Sequence, residues 1–378
     1  MPRLASMLDG MRHSGIKVMV DLVQETPDAI RLEVGDPDLP TPSHIIEAAG
    51  EAARAGWTKY TPSAGLRPLR ELAARKVVEQ NGLSVDADQI VVTTGAVGGL
   101  FTTLLAILDR GDEVLVPDPG WAGYPAIVQS LGAVPTPYPL ESKDLFEPDL
   151  EALRNAISEK TKVIIVNSPG NPTGAVHSVD TLQAIVDLAA EHDLWVVSDE
   201  CYEKIVFDGE HVSPATLETD GRVVSIYSLS KTYSMTGWRV GYVVAPRTLA
   251  PFIAKLQEPV TACASAISQK AAEAALGGPQ SAVEEMRVQY LRRRDMAMEL
   301  LDASGTAYVR PRGAFYLMVD VSPSRDSTQF AIDLLKNHGV AVVPGIAFGT
   351  RGEGLVRVSL AASESDIREG LRRLGDAV

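Results

Sequence analysis

The sequence predicts an α/β protein: a large domain with a mixed, mostly parallel sheet flanked by helices, and a smaller α+β domain. Three observations carry this. Short apolar, β-branched runs alternate with helix-period stretches through the middle of the chain, the pattern of a parallel sheet covered on both faces. One connection is too short for a parallel crossover. The texture of the chain then changes near residue 276.

The strand candidates run in order: IVVTT (90–94), EVLVPD (113–118), KVIIVNSP (162–169), LWVVSDE (194–200), VVSIYS (223–228) and RVGYVVA (239–245). Helix-period segments such as LFTTLLAIL (100–108) and TLQAIVDLAAEH (181–192) lie between them. Only residues 229–238 separate VVSIYS from RVGYVVA. A parallel crossover needs about a dozen residues or more, so RVGYVVA is expected to run antiparallel. After GGPQS (277–281) comes a long helical stretch, 283–301, then strand candidates AFYLMVD (314–320), VAVVP (340–344) and LVRVSLA (355–361), with helical pieces at 328–337 and 364–374. The expected division is a large domain over 31–275 and a small domain made of 1–30 and 276–378.

Length and composition fit this. With 378 residues, 45% hydrophobic and 22% charged, the chain is long enough for a sizeable core and two or three domains. The net charge of −14 argues against nucleic acid or an anionic membrane as partner, since both need a cationic footprint. It also means that any small anionic ligand needs a locally cationic pocket. Two cysteines, Cys201 and Cys263, make no disulfide framework and have no metal-ligand spacing. No apolar run approaches a membrane span of about 18 residues, and the N-terminus lacks a signal pattern. A cytoplasmic protein without a metal is expected. The run Arg292-Arg293-Arg294 on a helical pattern reads as a solvated face or ion-pair surface.

In open α/β sheets ligands bind beyond the carboxyl ends of the strands. After IVVTT comes Gly95-Ala96-Val97-Gly98-Gly99, which either cradles a phosphate on free N–H groups or makes a tight helix–sheet turn. It is not GxGxxG, so a dinucleotide site is poorly supported. After KVIIVN comes SPGNPTG. LWVVS runs into Asp199 and Tyr202, and VVSIY into Ser228, Ser230 and Lys231. Singly, Asp199 could be a helix cap and Lys231 a surface lysine. No GxSxG or HExxH occurs, so neither a hydrolase elbow nor a zinc site is indicated.

In combination, Asn171-Pro-Thr-Gly174, Asp199-Glu-Cys-Tyr202, Ser228-Leu-Ser-Lys231 and Arg239-Val-Gly-Tyr strongly resemble the class I/II aminotransferases, which are pyridoxal-5′-phosphate enzymes of fold type I. GDPDLPTP (35–42), KYTPSAGLRPLR (59–70), PRGAFY (311–316), VVPGIAFG (342–349) and VRVSLA (356–361) extend the likeness to roughly residues 30–375.

The resemblance implies roles. Lys231 carries the cofactor as a Schiff base and then moves a proton. Asp199 holds the ring nitrogen protonated. Asn171 and Tyr202 bond the ring oxygen. Trp121 stacks on the ring, its plain alternative being a core or interface tryptophan. Gly95, Ala96, Val97, Ser228, Ser230 and Arg239 hold the phosphate. Tyr60 reaches the phosphate of a neighbouring subunit, in a homodimer with shared sites, or else simply packs. Arg357 takes the substrate α-carboxylate as a planar bidentate partner, with Gly35 beside it. Lys231, Asp199 and Tyr202 form the catalytic set; Gly35, Trp121, Asn171 and Arg357 form the substrate set.

Some positions depart from the family pattern. Val97 stands where a polar or cationic residue is common and can face a distal carboxylate. Gly120 is smaller than the usual aromatic. These departures lean away from aspartate or glutamate and toward a neutral, apolar or aromatic amino donor. The expected reaction is ping-pong transfer of an amino group from an L-amino acid to a 2-oxo acid. The alternative is a cysteine-conjugate or cystathionine-type β-lyase on the same fold.

Overall fold

The computed structural model describes residues 15–322 and 326–378. Its central sheet has seven strands, in the order Ile90–Thr93, Gly241–Val244, Val223–Ser228, Trp195–Asp199, Thr161–Asn167, Glu113–Asp118, Val134–Pro139. The inner strands are β-branched and almost wholly buried, as expected where helices cover both faces. Packed helices include Gly95–Ile107, Val179–Glu191 and Ala250–Thr261.

Gly241–Val244 is antiparallel to both neighbours, as its short connection predicts, and all other pairs in this sheet are parallel. The reversal has a consequence for the site. Gly241 is in register with Thr93 on one side and Ser228 on the other. So the start of this strand, with Arg239 just before it, lies on the sheet edge where the other strands finish.

The edge strand Val134–Pro139 is not among the strands expected from the sequence. Its three prolines argue against a strand interior, but it pairs only with Glu113–Asp118, and an edge tolerates the missing donors.

A second sheet is four-stranded and antiparallel: Val343–Pro344, Leu355–Ser359, Tyr316–Asp320, Tyr308–Val309. The expected single strand 340–344 is two pieces. Val340–Ala341 pairs in parallel with Ile30–Arg31, and Val343–Pro344 pairs with Leu355–Ser359. Met19 and Val23 of the helix Gly15–Gln24 share one apolar cluster with Leu32, Tyr290, Phe315, Val356 and Leu371. Residues 1–14 of the expected small domain lie outside the described residues.

The helix Ser281–Ser304 bears out the ion pairs expected of the arginine run and corrects the surface placement of two of its members. Arg293 and Arg294 are buried, not solvated. Arg293 makes two hydrogen bonds to Asp38, at 2.7 and 2.8 Å, and Arg294 bonds Asp208 at 2.8 Å. Partners far off in sequence decided this, and a local charge pattern does not reveal them.

Candidate active site

One cleft of about 330 Å³ gathers the polar strand ends. Gly35, Ala96, Val97, Trp121, Asn171, Asp199, Tyr202, Ser228, Ser230, Lys231, Arg239 and Arg357, all expected in the site, line it. Tyr60 does not: it is 87% exposed and lies away from the cleft of its own chain.

Asp199 ends its strand at the cleft floor and is buried. Its Oδ2 accepts from the Tyr124 hydroxyl at 2.7 Å and its Oδ1 from the Cys201 N–H at 3.2 Å. Burial pushes its carboxyl up from the ordinary value, against hydrogen bonds from Cys201 and Tyr124 that pull it down. No lysine or arginine pairs with it among the described residues. Its backbone carbonyl accepts from Asn167 Nδ2 at 3.0 Å, while Asn167 Oδ1 accepts from the Asn171 N–H at 2.8 Å. One buried amide thus ties two strand ends together.

Lys231 sits in the short helix that follows Val223–Ser228, and Ser228 caps that helix by accepting from the Ser230 N–H at 3.1 Å. Lys231 Nζ donates to the Gly35 carbonyl at 2.6 Å. Gly35 is required there, since a Cβ would fall 1.9 Å from the Tyr316 hydroxyl.

Gly95 opens the helix Gly95–Ile107, so the N–H groups of its first turn lack helical acceptors; Ala96 and Val97 of that turn line the cleft with Arg239, and Gly95 lies just behind them. A Cβ at Gly95 would stand 2.8 Å from an Arg239 nitrogen. Arg239 itself donates to the Thr236 carbonyl at 2.8 Å.

Arg357 is buried between two rings, 4.4 Å from the centre of Tyr316 and 4.7 Å from that of Phe348. It donates to Asn171 Oδ1 at 2.9 Å and to the Glu33 carbonyl at 2.6 Å, and its Nε is left buried and unpartnered. Burial pulls its guanidinium down from the ordinary value, while Tyr316, Tyr202 and Glu33 nearby push it up. The Tyr202 and Tyr316 hydroxyls are 2.9 Å apart.

Sequence reasoning missed Tyr124, Asn167 and Tyr316. Tyr124 lies three residues after Trp121 and Tyr316 ends the quoted PRGAFY, so both signals were present in motifs read for other residues.

A model of the class I and II aminotransferases matches residues 27–374. The chain belongs to that family. The aspartate/prephenate aminotransferase of Thermus thermophilus is 41% identical over 94% of this chain and 92% of its own. The arginine–pyruvate transaminase of Pseudomonas aeruginosa is 39% identical, over 93% and 90%. The structure of Thermus thermophilus aspartate aminotransferase with maleate superposes with a TM-score of 0.95 at 39% identity, over the whole of both chains. This aminotransferase therefore works with pyridoxal 5′-phosphate, as its class does. Its cleft fits that cofactor: a buried carboxylate without a cationic partner, a lysine at the same edge, and a helix N-terminus with an arginine for a phosphate. The β-lyase alternative finds no support in these relatives. Among the described residues no helix is long and apolar enough to cross a membrane, and no cluster suits a metal ion.

Proposed function

We propose that this aminotransferase takes its amino group from an L-amino acid with a neutral, apolar or aromatic side chain and passes it to a 2-oxo acid. The observation that carries the donor preference is the cleft wall. Val97 is 42% exposed and lines the cleft together with Val20 and Trp121. Lys231, Arg239 and Arg357 are the only lysine or arginine side chains among the described cleft residues, and each has a task in this reading. None of this chain's own is left for a second substrate carboxylate.

When bound, pyridoxal 5′-phosphate supplies an aldehyde that takes up the amino group and a ring that withdraws electrons. The protein does the rest. Asp199 would hold the ring nitrogen protonated. Lys231 would hold the cofactor and, with its amine free, would carry a proton to and from the substrate Cα. Asn171 and Tyr202 would bond the ring oxygen, and Trp121 would cover the ring face. Ala96 and Val97 N–H groups, Gly95, Ser228, Ser230 and Arg239 bind the phosphate. Arg357 orients the substrate carboxylate by a bidentate contact, with Gly35 beside it.

The division into a large domain (31–275) and a small one (1–30 with 276–378) belongs to this reading, supported by the cluster that joins Met19 to the C-terminal elements. So does a homodimer in which Tyr60 completes the partner's site; its 87% exposure beside the half-exposed Trp57 suits an interface. We place the enzyme in the cytoplasm, consistent with two unpaired cysteines.

The test is a panel of amino acids against 2-oxoglutarate and pyruvate. Neutral and aromatic donors should exceed aspartate in kcat/KM, and Val97→Lys should raise the value for aspartate. Wild-type preference for aspartate would overturn the donor assignment.

A further inference from the structure

The carboxylate of Asp118 ends the strand Glu113–Asp118 and is buried. It meets the segment 349–351 of the C-terminal part of the chain. Its Oδ2 accepts from the Thr350 N–H at 3.2 Å and the Thr350 hydroxyl at 2.8 Å, and its Oδ1 from the Arg351 N–H at 3.0 Å. The seat is tight: Gly349 has φ +135°, and a Cβ there would fall 2.0 Å from Asp118 Oδ1. Two residues on, the Gly120 N–H donates to the Phe348 carbonyl at 2.8 Å. The backbone of Asp118 is itself fixed, its carbonyl accepting from the Leu140 N–H at 2.8 Å.

These bonds connect two parts of the cleft. Gly120 precedes Trp121, which lines the cleft. Phe348 stacks on the Arg357 guanidinium. An ionised carboxylate with three donors is a strong, directional fastening, and here it fixes the turn that carries one of the two rings flanking Arg357. The Arg357 guanidinium is otherwise held by Asn171 Oδ1, the Glu33 carbonyl and the Tyr316 ring, and its Nε is unpartnered.

We propose that Asp118 is a positioning residue for substrate-carboxylate binding: through Thr350 and Arg351 it seats Phe348 against Arg357. The inference rests on the reading of Arg357 as the carboxylate ligand. It acts on ground-state and transition-state binding alike, because the carboxylate does not change during the reaction. Removing it therefore raises KM and leaves kcat nearly as it was.

Asp118→Asn keeps the shape but sets an amide N–H₂ against a backbone N–H. Thr350→Val removes the hydroxyl donor alone, and Thr350→Ser restores it. In the holoenzyme, Asp118→Asn should raise KM for both the amino acid and the 2-oxo acid roughly tenfold, with kcat and the cofactor absorption spectrum held within about twofold of wild type. Thr350→Val should give a smaller rise and Thr350→Ser none. If Asp118→Asn does not fold, the Thr350 pair decides alone. Unchanged KM values, or a fall in kcat and cofactor content in step with KM, would overturn the proposal. Arg357→Lys, measured in parallel, separates the two readings: if it leaves KM unchanged, Arg357 is not the carboxylate ligand. If it raises KM while Asp118→Asn does not, only the positioning role fails.

Discussion

The Tyr124 hydroxyl donates to Asp199 Oδ2 at 2.7 Å, in a pocket where both groups are buried. This bond stabilises the carboxylate against the desolvation that pushes it toward its neutral form. Asp199 is thereby held ready for a cationic partner, which in the function proposed above would be the protonated ring nitrogen of the cofactor.

Tyr124→Phe removes that donor without changing the ring. With one donor fewer, the Asp199 carboxyl shifts up toward its neutral form, which cannot hold the ring nitrogen protonated. A hydrogen bond to a charged group is worth about 1.5–3 kcal/mol, so kcat/KM should fall roughly 10–150-fold. The absorption of the bound cofactor should also change its pH dependence. Wild-type kinetics together with a wild-type spectral titration would show that the Cys201 N–H suffices.

Lys231→Ala should retain cofactor without a covalent bond and lose turnover. Two measurements check it: borohydride should no longer fix the cofactor to the protein, and amino acid should no longer convert its spectrum on the catalytic time scale. Near-wild-type turnover in this variant would remove Lys231 from the mechanism.

Arg357→Ala should cost about 1.5–3 kcal/mol of charge-assisted hydrogen bonding to substrate, or roughly 10–150-fold in kcat/KM. It also strips the buried Glu33 carbonyl and Asn171 Oδ1 of a donor. Thermal unfolding of the variant should therefore drop as well, and Arg357→Lys should recover part of it.

Much of this site was legible because strand ends and site residues coincide. Apolar runs locate the strands, and whatever follows a run lies at the cleft. The reversal of Gly241–Val244 was legible from a connection of ten residues, and with it the placement of Arg239. What escaped were groups whose partners are remote in sequence. Asn167 looks like the end of a strand until its amide is seen to bridge Asp199 and Asn171. Arg293 and Arg294 look like surface charge until Asp38 and Asp208 arrive. The strand Val134–Pro139 was hidden by prolines that only an edge position permits. Asp118, read as the last residue of an apolar run, gives no local sign of its bonds to Thr350 and Arg351.

Behind the Asp199–Tyr202 segment, Glu203 is buried against Lys76, with Asn81 Nδ2 donating to it at 2.8 Å. Burial opposes its charge, but Lys76 prevails and holds the carboxyl down at about 2, below its ordinary 4.5. The sign of the pH effect follows. As pH falls, the unfolded chain takes up this proton first, near its ordinary value, while the folded chain resists until about 2. The stabilisation is complete above the unfolded value and drains away between the two. Denaturant unfolding followed from pH 7 down to pH 3 should show this loss in the wild type. Glu203→Gln should be less stable at pH 7, since it leaves Lys76 buried without its counter-charge, and its stability should fall less over the same range. An identical pH slope in the two proteins would show that the pair does not govern acid unfolding.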